Sequence, residues 1–204
     1  RLRLKHSPEQ IAGVAKKNGD KCVSHERIYQ FIWQDKRKKG TLYLDLRNRG
    51  RRYKKRSVIY DKRGTIPNRT DISQRPPEVE LRERFGDLEI DLIIGKNHKG
   101  AILTINDRAT GFGKLRKLDG KDAQQLATAT IDCLMEWKPF LKTITSDNGK
   151  EFAAHELVAK QLNIDFFFAK PYASWQRGSN ENYNRLVRQY IPKKVDFDCI
   201  HTDY

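Results

Sequence analysis

The sequence predicts an α/β protein: a mixed β-sheet with flanking helices, preceded by a small helical module and a basic arm. Two observations lead to this prediction. Residues 81–204 alternate short apolar strand patterns with amphipathic helix patterns, whereas residues 1–80 are strongly basic and show no sustained sheet pattern. At 204 residues, the chain is long enough for one domain and a smaller unit. We therefore predict a helical module at 1–39, an arm and linker at 40–80, and a sheet domain at 81–204.

Positive charge is concentrated in the first part of the chain. The sequence has 41 Lys and Arg against 26 Asp and Glu, a formal net charge of +15. Residues 1–80 hold 22 of the basic and 9 of the acidic residues, a net charge of +13, which leaves +2 for residues 81–204. A concentrated basic excess is typical of proteins that bind the phosphates of nucleic acids. A solvated surface that serves only solubility is the alternative.

The sequence lacks the patterns of a membrane protein, a disulfide framework or a zinc site. No run approaches 18 apolar residues, and no apolar run follows a basic amino terminus, which predicts a cytoplasmic protein without a membrane span or signal peptide. The three cysteines stand far apart, so we expect buried thiols rather than disulfides or zinc ligands. They are Cys22, Cys133 and Cys199.

Two helices are predicted near the amino terminus. Ser7 precedes Pro8, and Gln10 stands three residues after the serine, an arrangement typical of a capped helix start. Gly19 ends this helix, and Ser24 begins a second one. Two short helices joined by a turn are typical of a helix-turn-helix, although any small helical hairpin has the same pattern.

The module and the arm contain the first predicted DNA contacts. In a helix-turn-helix the first residues of the second helix face base edges, which makes His25, Glu26 and Arg27 the predicted readers. The segment from 36 to 63 is too charged to pack and has no sustained apolar period, so we expect an extended arm along phosphates. The predicted phosphate contacts in the arm are Arg51, Arg52, Lys54, Lys55 and Arg56.

The elements of the sheet domain follow a proline-rich stretch, 65–80, that we expect to be irregular and to mark the boundary. After it, alternation of apolar residues predicts strands, and helical periodicity predicts helices between the later ones. The predicted strands are 87–95, 100–107, 111–118, 141–147 and 164–171, and the predicted helices are 121–137, 151–163 and 180–191.

Two aspartates stand at strand positions that need an explanation. Asp91 is bracketed by apolar residues inside the first strand, where an unpaired carboxylate is costly, and the two-residue period places it on one face with Glu89. It is either functional or faces solvent from an outer strand. Asp147 follows the strand LKTIT and precedes Asn148 and Gly149, at a strand end, where catalytic groups of α/β sheets collect. An ordinary turn has the same sequence.

A third carboxylate lies on the last predicted helix. At 100° per residue, Glu181 clusters with Arg185 and Arg188 on the face opposite an apolar stripe. A surface ion pair is the alternative explanation of this cluster.

These three carboxylates form a set of hard oxygen donors, which favours Mg²⁺ or Mn²⁺ over zinc. Two such ions, about 3.5–4 Å apart, would stabilise the attacking and leaving oxygens of a displacement at phosphorus. We therefore predict Asp91, Asp147 and Glu181 as catalytic and metal-binding residues, and we expect two ions.

Three longer segments resemble a known family: GDLEIDLIIGKNHKGAILTIND, TITSDNGKEF and KPYASWQRGSNENYNRLVRQYIPK. In order and spacing they are similar to the integrase-like core of bacterial insertion-sequence transposases of the IS-thirty family. The upstream segments SPEQIAG, VSHERIYQFI and IPNR also resemble that family, so the resemblance covers nearly the whole chain. The 33 residues between Asp147 and Glu181 match the spacing in that family.

The resemblance implies a ribonuclease-H-like fold with a DDE triad of Asp91, Asp147 and Glu181. It also implies that Arg188, seven residues after the glutamate, contacts DNA. Nearby aromatic and basic side chains are expected to line the DNA path, as such groups do for unpaired bases, although they could equally anchor their loop to the core. The residues concerned are Trp175 and Tyr172, in a loop with Arg177; Arg185, on the last predicted helix, is also expected to contact DNA.

The function implied is DNA transposition: metal-dependent cleavage of double-stranded DNA at the ends of the element, and attack of the freed 3′-hydroxyl on target DNA. The family also implies a homo-oligomer in the nucleoid. Lys170 departs from the family pattern in the loop before Pro171. The chain begins without methionine and stops soon after the last helix, so we expect a fragment or truncated copy. The alternatives are a non-enzymatic DNA-binding protein, an inactive truncated transposase, and a nuclease that cuts without joining.

Overall fold

The computed structural model describes residues 1–47, 49, 66–171, 173–193, 195–197 and 200. The chain divides into two compact units, Arg1–Ser57 and Val58–Tyr204. The predicted arm contacts lie outside the described residues and stay predictions: Arg51, Arg52, Lys54, Lys55 and Arg56.

The first unit contains the two predicted helices, α1 (Pro8–Asn18) and α2 (His25–Arg37). The expected capping box is present, because the Ser7 hydroxyl accepts the Gln10 N–H and the Gln10 side chain accepts the Ser7 N–H. Short 3-10 turns precede and follow the helices at Leu2–Leu4 and Leu42–Asp45. The prediction of a small helical module is therefore confirmed, while its DNA-binding role stays a prediction.

The second unit is built on a mixed six-stranded sheet of described residues, in the order β1-β6-β5-β2-β3-β4. Strands β2, β3 and β4 form an antiparallel meander, and β5, β6 and β1 continue the sheet in parallel on the other side of β2. The strands are β1 (Thr70–Asp71), β2 (Asp87–Ile94), β3 (Ala101–Asp107), β4 (Gly113–Leu118), β5 (Thr143–Ser146) and β6 (Asp165–Phe168). The predicted mixed α/β sheet is confirmed.

The edge strand β1 comes from the proline-rich stretch that we expected to be irregular. Thr70 pairs with Phe167 and Asp71 with Phe168, so this strand depends on a partner almost a hundred residues away. A two-residue strand has no periodicity to read, which is why the sequence pattern missed it. The sheet thus begins before residue 81, although the functional division at 80 stays a prediction.

Four helices accompany the sheet in the described residues: α3 (Glu78–Leu81), α4 (Ala123–Leu134), α5 (His155–Leu162) and α6 (Gly178–Tyr190). Helix α4 is shorter than predicted, because the chain tightens into a 3-10 helix, Met135–Phe140, that contains Pro139. Helix α5 is also shorter, since Lys150–Phe152 forms a separate 3-10 turn. Helix α6 begins two residues earlier than predicted.

Both faces of the central strand β2 are covered. Leu88 and Ile90 belong to the main apolar core, which also contains side chains of α4 and α5. On the other face, Ile93 packs in a smaller cluster with Val187 of α6. The alternative in which Asp91 faces solvent from an outer strand is therefore wrong, because β2 lies between β3 and β5.

Two expectations from the sequence, one about membrane spans and one about the cysteines, can be compared with the described residues. No helix in the described ranges is both long and apolar enough to cross a membrane. The expectation of buried thiols is wrong for Cys22, which is exposed just after α1, and Cys133 is half-buried on α4. Cys199 lies outside the described residues.

Candidate active site

Asp91 and Asp147 are brought together by the parallel pairing of β2 with β5. Glu89 pairs in register with Thr145. Because the two strands are parallel, Asp91 and Asp147, which each lie two residues further along the chain, lie next to each other. One guanidinium contacts both: Arg177 Nη1 lies 3.4 Å from Asp91 Oδ2, and Nη2 lies 3.6 Å from Asp147 Oδ2. The two aspartates therefore lie side by side, with a positive charge in contact with both.

The carboxylate of Asp91 is held by three donors. The Leu92 N–H donates to Oδ1 at 2.8 Å, and the Asn184 amide donates to Oδ2 at 3.0 Å, in addition to the contact with Arg177. Burial raises the pKa of Asp91 to about 6, and the nearby charge of Asp147 adds to this effect while Arg177 opposes it. Asp91 is therefore an acid whose ionised form is destabilised in the absence of a stronger cation.

Asp147 is fixed by the turn that follows β5. The Gly149 N–H donates to its Oδ1 at 2.9 Å, an arrangement typical of an Asx turn. Asn148 secures the same turn, since its side chain accepts from Arg69 and donates to the Ala169 carbonyl. Asp147 can therefore be both a turn residue and a functional residue, because the turn orients its carboxylate.

Glu181 lies in the first turn of α6, and its side chain is about half exposed. Arg185, one turn later, donates to its carboxylate at 2.9 Å. Glu181 is thus paired on its own helix, whereas Asp91 and Asp147 share Arg177. Within the described residues, no group of three acidic, histidine or cysteine side chains is close enough to hold one metal ion.

The predicted DNA contacts near the site differ in their surroundings. Trp175 is 75% exposed, which leaves its ring accessible to a ligand. Arg188 donates to the Ile94 carbonyl at 2.8 Å, and burial lowers the pKa of its guanidinium. Arg177 is mostly covered, contacts the two aspartates and also donates to the Ile90 carbonyl at 3.3 Å. Contact of these residues with DNA stays a prediction.

The predicted readers of the first unit lie in the first turn of α2. His25 and Arg27 are exposed, and the Ser24 hydroxyl caps this turn by accepting the Arg27 N–H at 3.2 Å. The Arg27 guanidinium donates to Gln30 at 3.2 Å. Their exposure is compatible with the predicted contact with DNA.

Sequence reasoning missed three residues that support the carboxylates. Asn184 donates to Asp91, while Asn180 and Glu89 are both fully buried and contact each other across α6 and β2. The available signal was positional: Glu89 precedes Asp91 by one strand period, and Asn180 directly precedes Glu181.

The side chains of the site fit a divalent cation. Asp91 and Asp147 offer only oxygen donors, which Mg²⁺ and Mn²⁺ prefer. The Arg177 guanidinium already places a positive charge beside both carboxylates, and a divalent cation would offset the burial that raises the pKa of Asp91. Glu181 would have to leave Arg185 to join them as a third ligand.

Comparisons with known proteins agree with the resemblance found in the sequence. No protein-family model matches the chain. The chain is 58% identical over 196 residues to the transposase for insertion sequence element IS4351 of Bacteroides fragilis, a match that covers 96% of this chain and 60% of the relative. It is 35% identical to the transposase for insertion sequence element IS1086 of Cupriavidus metallidurans, with the same two coverages.

Two further similarities extend this result. The chain is 32% identical over 206 residues to the transposase InsI for insertion sequence element IS30C of Escherichia coli, covering 96% of this chain and 53% of the relative. The catalytic core domain of BIV integrase is a structural neighbour, with a TM-score of 0.41 and 20% identity, covering 53% of this chain and 74% of that domain. The chain spans between about half and three fifths of the length of these three transposases. It is, over nearly all of its own length, a relative of bacterial insertion-sequence transposases.

Proposed function

We propose that this chain carries the catalytic core of an insertion-sequence transposase, with Asp91, Asp147 and Glu181 as its catalytic and metal-binding triad. The observation that carries the proposal is the meeting of Asp91 and Asp147 on the guanidinium of Arg177 at neighbouring parallel strands. The names of the relatives support DNA transposition as the process.

The reaction is a pair of displacements at DNA phosphorus. In cleavage, water attacks a phosphorus at the end of the element, the bond to the 3′-oxygen breaks, and that oxygen leaves as a 3′-hydroxyl after gaining a proton. In strand transfer, this hydroxyl attacks a phosphorus of the target and displaces the target's own 3′-oxygen. Bound Mg²⁺ or Mn²⁺, with two ions expected, supplies the positive charge that both displacements require.

The side chains of the site prepare it for this reaction. Asp91 and Asp147 must be ionised to hold a cation, and the Leu92 and Gly149 N–H groups orient them. Arg177 balances their charge, and we expect its guanidinium to turn to a DNA phosphate when a divalent cation lies between the aspartates. Such fixed donors and charges lower the barrier because they need no reorganisation during the reaction.

Double-stranded DNA is the proposed partner, both as element ends and as target. Arg185, Arg188 and Trp175 would contact it next to the triad, and His25 and Arg27 would contact it from the first unit. Transposases usually act as multimers across two element ends, so we propose a homo-oligomer.

A strand-transfer assay tests the proposal. A labelled element end with a free 3′-hydroxyl is incubated with target plasmid and Mn²⁺, using Asp91→Asn, Asp147→Asn and Glu181→Gln. We expect each variant to lose about 10³-fold or more in rate, because each removes a charge that the transition state needs. DNA affinity should stay unchanged, as the substitutions are nearly isosteric.

Glu156→Gln is the matched control, since this glutamate is an exposed acid of α5. It should transfer strands at the wild-type rate. Wild-type activity in any triad variant would contradict the proposed triad. Cleavage by the wild-type chain without any joining would favour a nuclease, and binding without either reaction would favour a non-enzymatic DNA-binding protein.

A further inference from the structure

A fully buried carboxylate lies beneath the candidate site. Glu89 stands on β2, two residues before Asp91 and on the same face, and it has no exposed surface. A buried charge of this kind is costly unless it is paired and hydrogen-bonded. Its two oxygens have separate partners: the Arg108 guanidinium donates to Oε1, and the Asn180 backbone N–H donates to Oε2 at 2.7 Å.

The Asn180 N–H belongs to the amino end of α6, which has no cap from its own sequence. Arg177 occupies the N-cap position and makes no side-chain capping bond. The N–H groups of a first helical turn have no partners within the helix, and an anion there is favoured by the helix dipole. The carboxylate of Glu89 supplies both the acceptor and the negative charge, so the cap of α6 comes from β2.

This bond connects the strand that carries Asp91 to the helix that carries Glu181. Asn180 directly precedes Glu181, so any movement of the Asn180 backbone also moves the glutamate. Glu89 cannot follow such a movement, because Arg108 holds its other oxygen and is itself bonded to the Val79 carbonyl at 3.2 Å.

We propose that Glu89 is a positioning residue of the site: its carboxylate anchors the amino end of α6 to β2 and thereby sets the place of Glu181 relative to Asp91. The consequence for catalysis rests on the proposed function, whereas the anchoring does not. A role in folding alone would lower the stability of the protein without changing the rate of the folded enzyme.

Amide hydrogen exchange of the metal-free chain tests the anchoring. In Glu89→Gln, the amide of Asn180 should exchange about 10-fold faster than in the wild type, because its charged acceptor is replaced by a neutral one. The amide of Val187, near the other end of α6, should keep its wild-type rate. Glu89→Asp is the second variant: it keeps the charge on Arg108 but shortens the reach to α6, and the Asn180 amide should again exchange faster.

Glu80→Gln is the matched control. Glu80 also contacts Arg108, at 2.9 Å, but its side chain is 64% exposed and its carboxylate pairs with arginines instead of with α6. This variant should show wild-type exchange at Asn180. Wild-type exchange at Asn180 in folded Glu89→Gln and Glu89→Asp would overturn the anchoring.

Cleavage kinetics at a temperature where every variant is folded test the consequence. Glu89→Gln should lower kcat by about 100-fold, since a displacement of about 1 Å can cost this much, and should leave the KM for DNA unchanged. A wild-type kcat together with fast exchange at Asn180 would overturn the positioning role. Asp91→Asn is measured in parallel: full activity in that variant would contradict the proposed function, and the exchange at Asn180 would still decide the anchoring.

Discussion

Asp91 lies on β2 and Asp147 directly follows β5, the parallel neighbour of β2, whereas Glu181 lies on the first turn of a helix. Each aspartate accepts a backbone N–H, and both contact the guanidinium of Arg177. Glu181 instead pairs with Arg185, and both of these side chains are about half exposed. The strand carboxylates are therefore oriented by the fold before any metal binds, while the position of the helical one depends on where α6 is held.

The two kinds of carboxylate therefore differ in the energetic cost of their ionisation and in how firmly their positions are held. Burial opposes ionisation of Asp91 and raises its pKa, and the neighbouring charge of Asp147 adds to this effect. Glu181 lies at the surface, where water screens its ion pair with Arg185. A divalent cation would thus compensate the negative charge of the aspartates, and Glu181 would have to move toward them to become a third ligand.

The largest expected effect on stability comes from removing the charge of Asp91. Its pKa rises from the ordinary 3.8 to about 6 in the folded chain, so the stability it contributes is present below about pH 4 and is lost as the pH rises through about 6. In metal-free buffer, Asp91→Asn should therefore raise the free energy of unfolding at pH 8, by at most about 3 kcal/mol. Urea unfolding at pH 4 and pH 8 measures this.

The comparison of the two pH values is the control within that experiment. Asp91→Asn should come close to the wild type at pH 4, where the folded carboxyl is protonated and the unfolded one is only partly ionised. A variant that is less stable than the wild type at pH 8 would show that the ionised carboxylate of Asp91 carries no net cost.

Removing Arg177, the cation that both aspartates contact, should lower the free energy of unfolding. Arg177→Gln leaves two neighbouring carboxylates without their counter-ion, so we expect a loss of about 2 kcal/mol in unfolding free energy at pH 8. The loss should shrink at pH 5, where Asp91 is largely protonated, and Mn²⁺ should restore stability at pH 8. Arg177→Lys keeps the charge and should lose less; equal losses in both variants would mean that the charge is unimportant.

The smallest effect is expected at the helical pair. Arg185→Gln removes an exposed ion pair of the i, i+4 kind, which contributes only about 0.3–0.5 kcal/mol. Thermal unfolding in low and moderate salt should show almost no change. A destabilisation as large as that of Arg177→Gln would erase the distinction between the strand and the helical carboxylates.

The sequence predicted the parts of the site that depend on local pattern. Asp91 was marked by strand alternation, Asp147 by its place after an apolar strand, and Glu181 by its helical face, and the structure places all three on the expected elements. The central position of β2 was not predictable from its own residues, because strand order depends on pairing between distant segments.

The supporting contacts could not be predicted for a similar reason. Arg177 reaches the aspartates from a 3-10 turn before α6, and the bond between Glu89 and Asn180 spans 91 positions of the chain. Loop conformation and long-range packing decide such contacts, and neither has a period in the sequence. Buried polar residues in otherwise apolar strands, such as Glu89, are the one signal that the sequence offers for them.

The most direct test of the central claim is cleavage of supercoiled plasmid by this chain and by its Asp147→Asn variant, with and without Mn²⁺. Asp147 is fixed by the Gly149 N–H, which the asparagine oxygen can still accept, so the substitution removes mainly charge. We predict metal-dependent nicking by the wild-type chain and its loss in the variant. Equal nicking by both proteins would contradict a catalytic site built on the paired aspartates of β2 and β5.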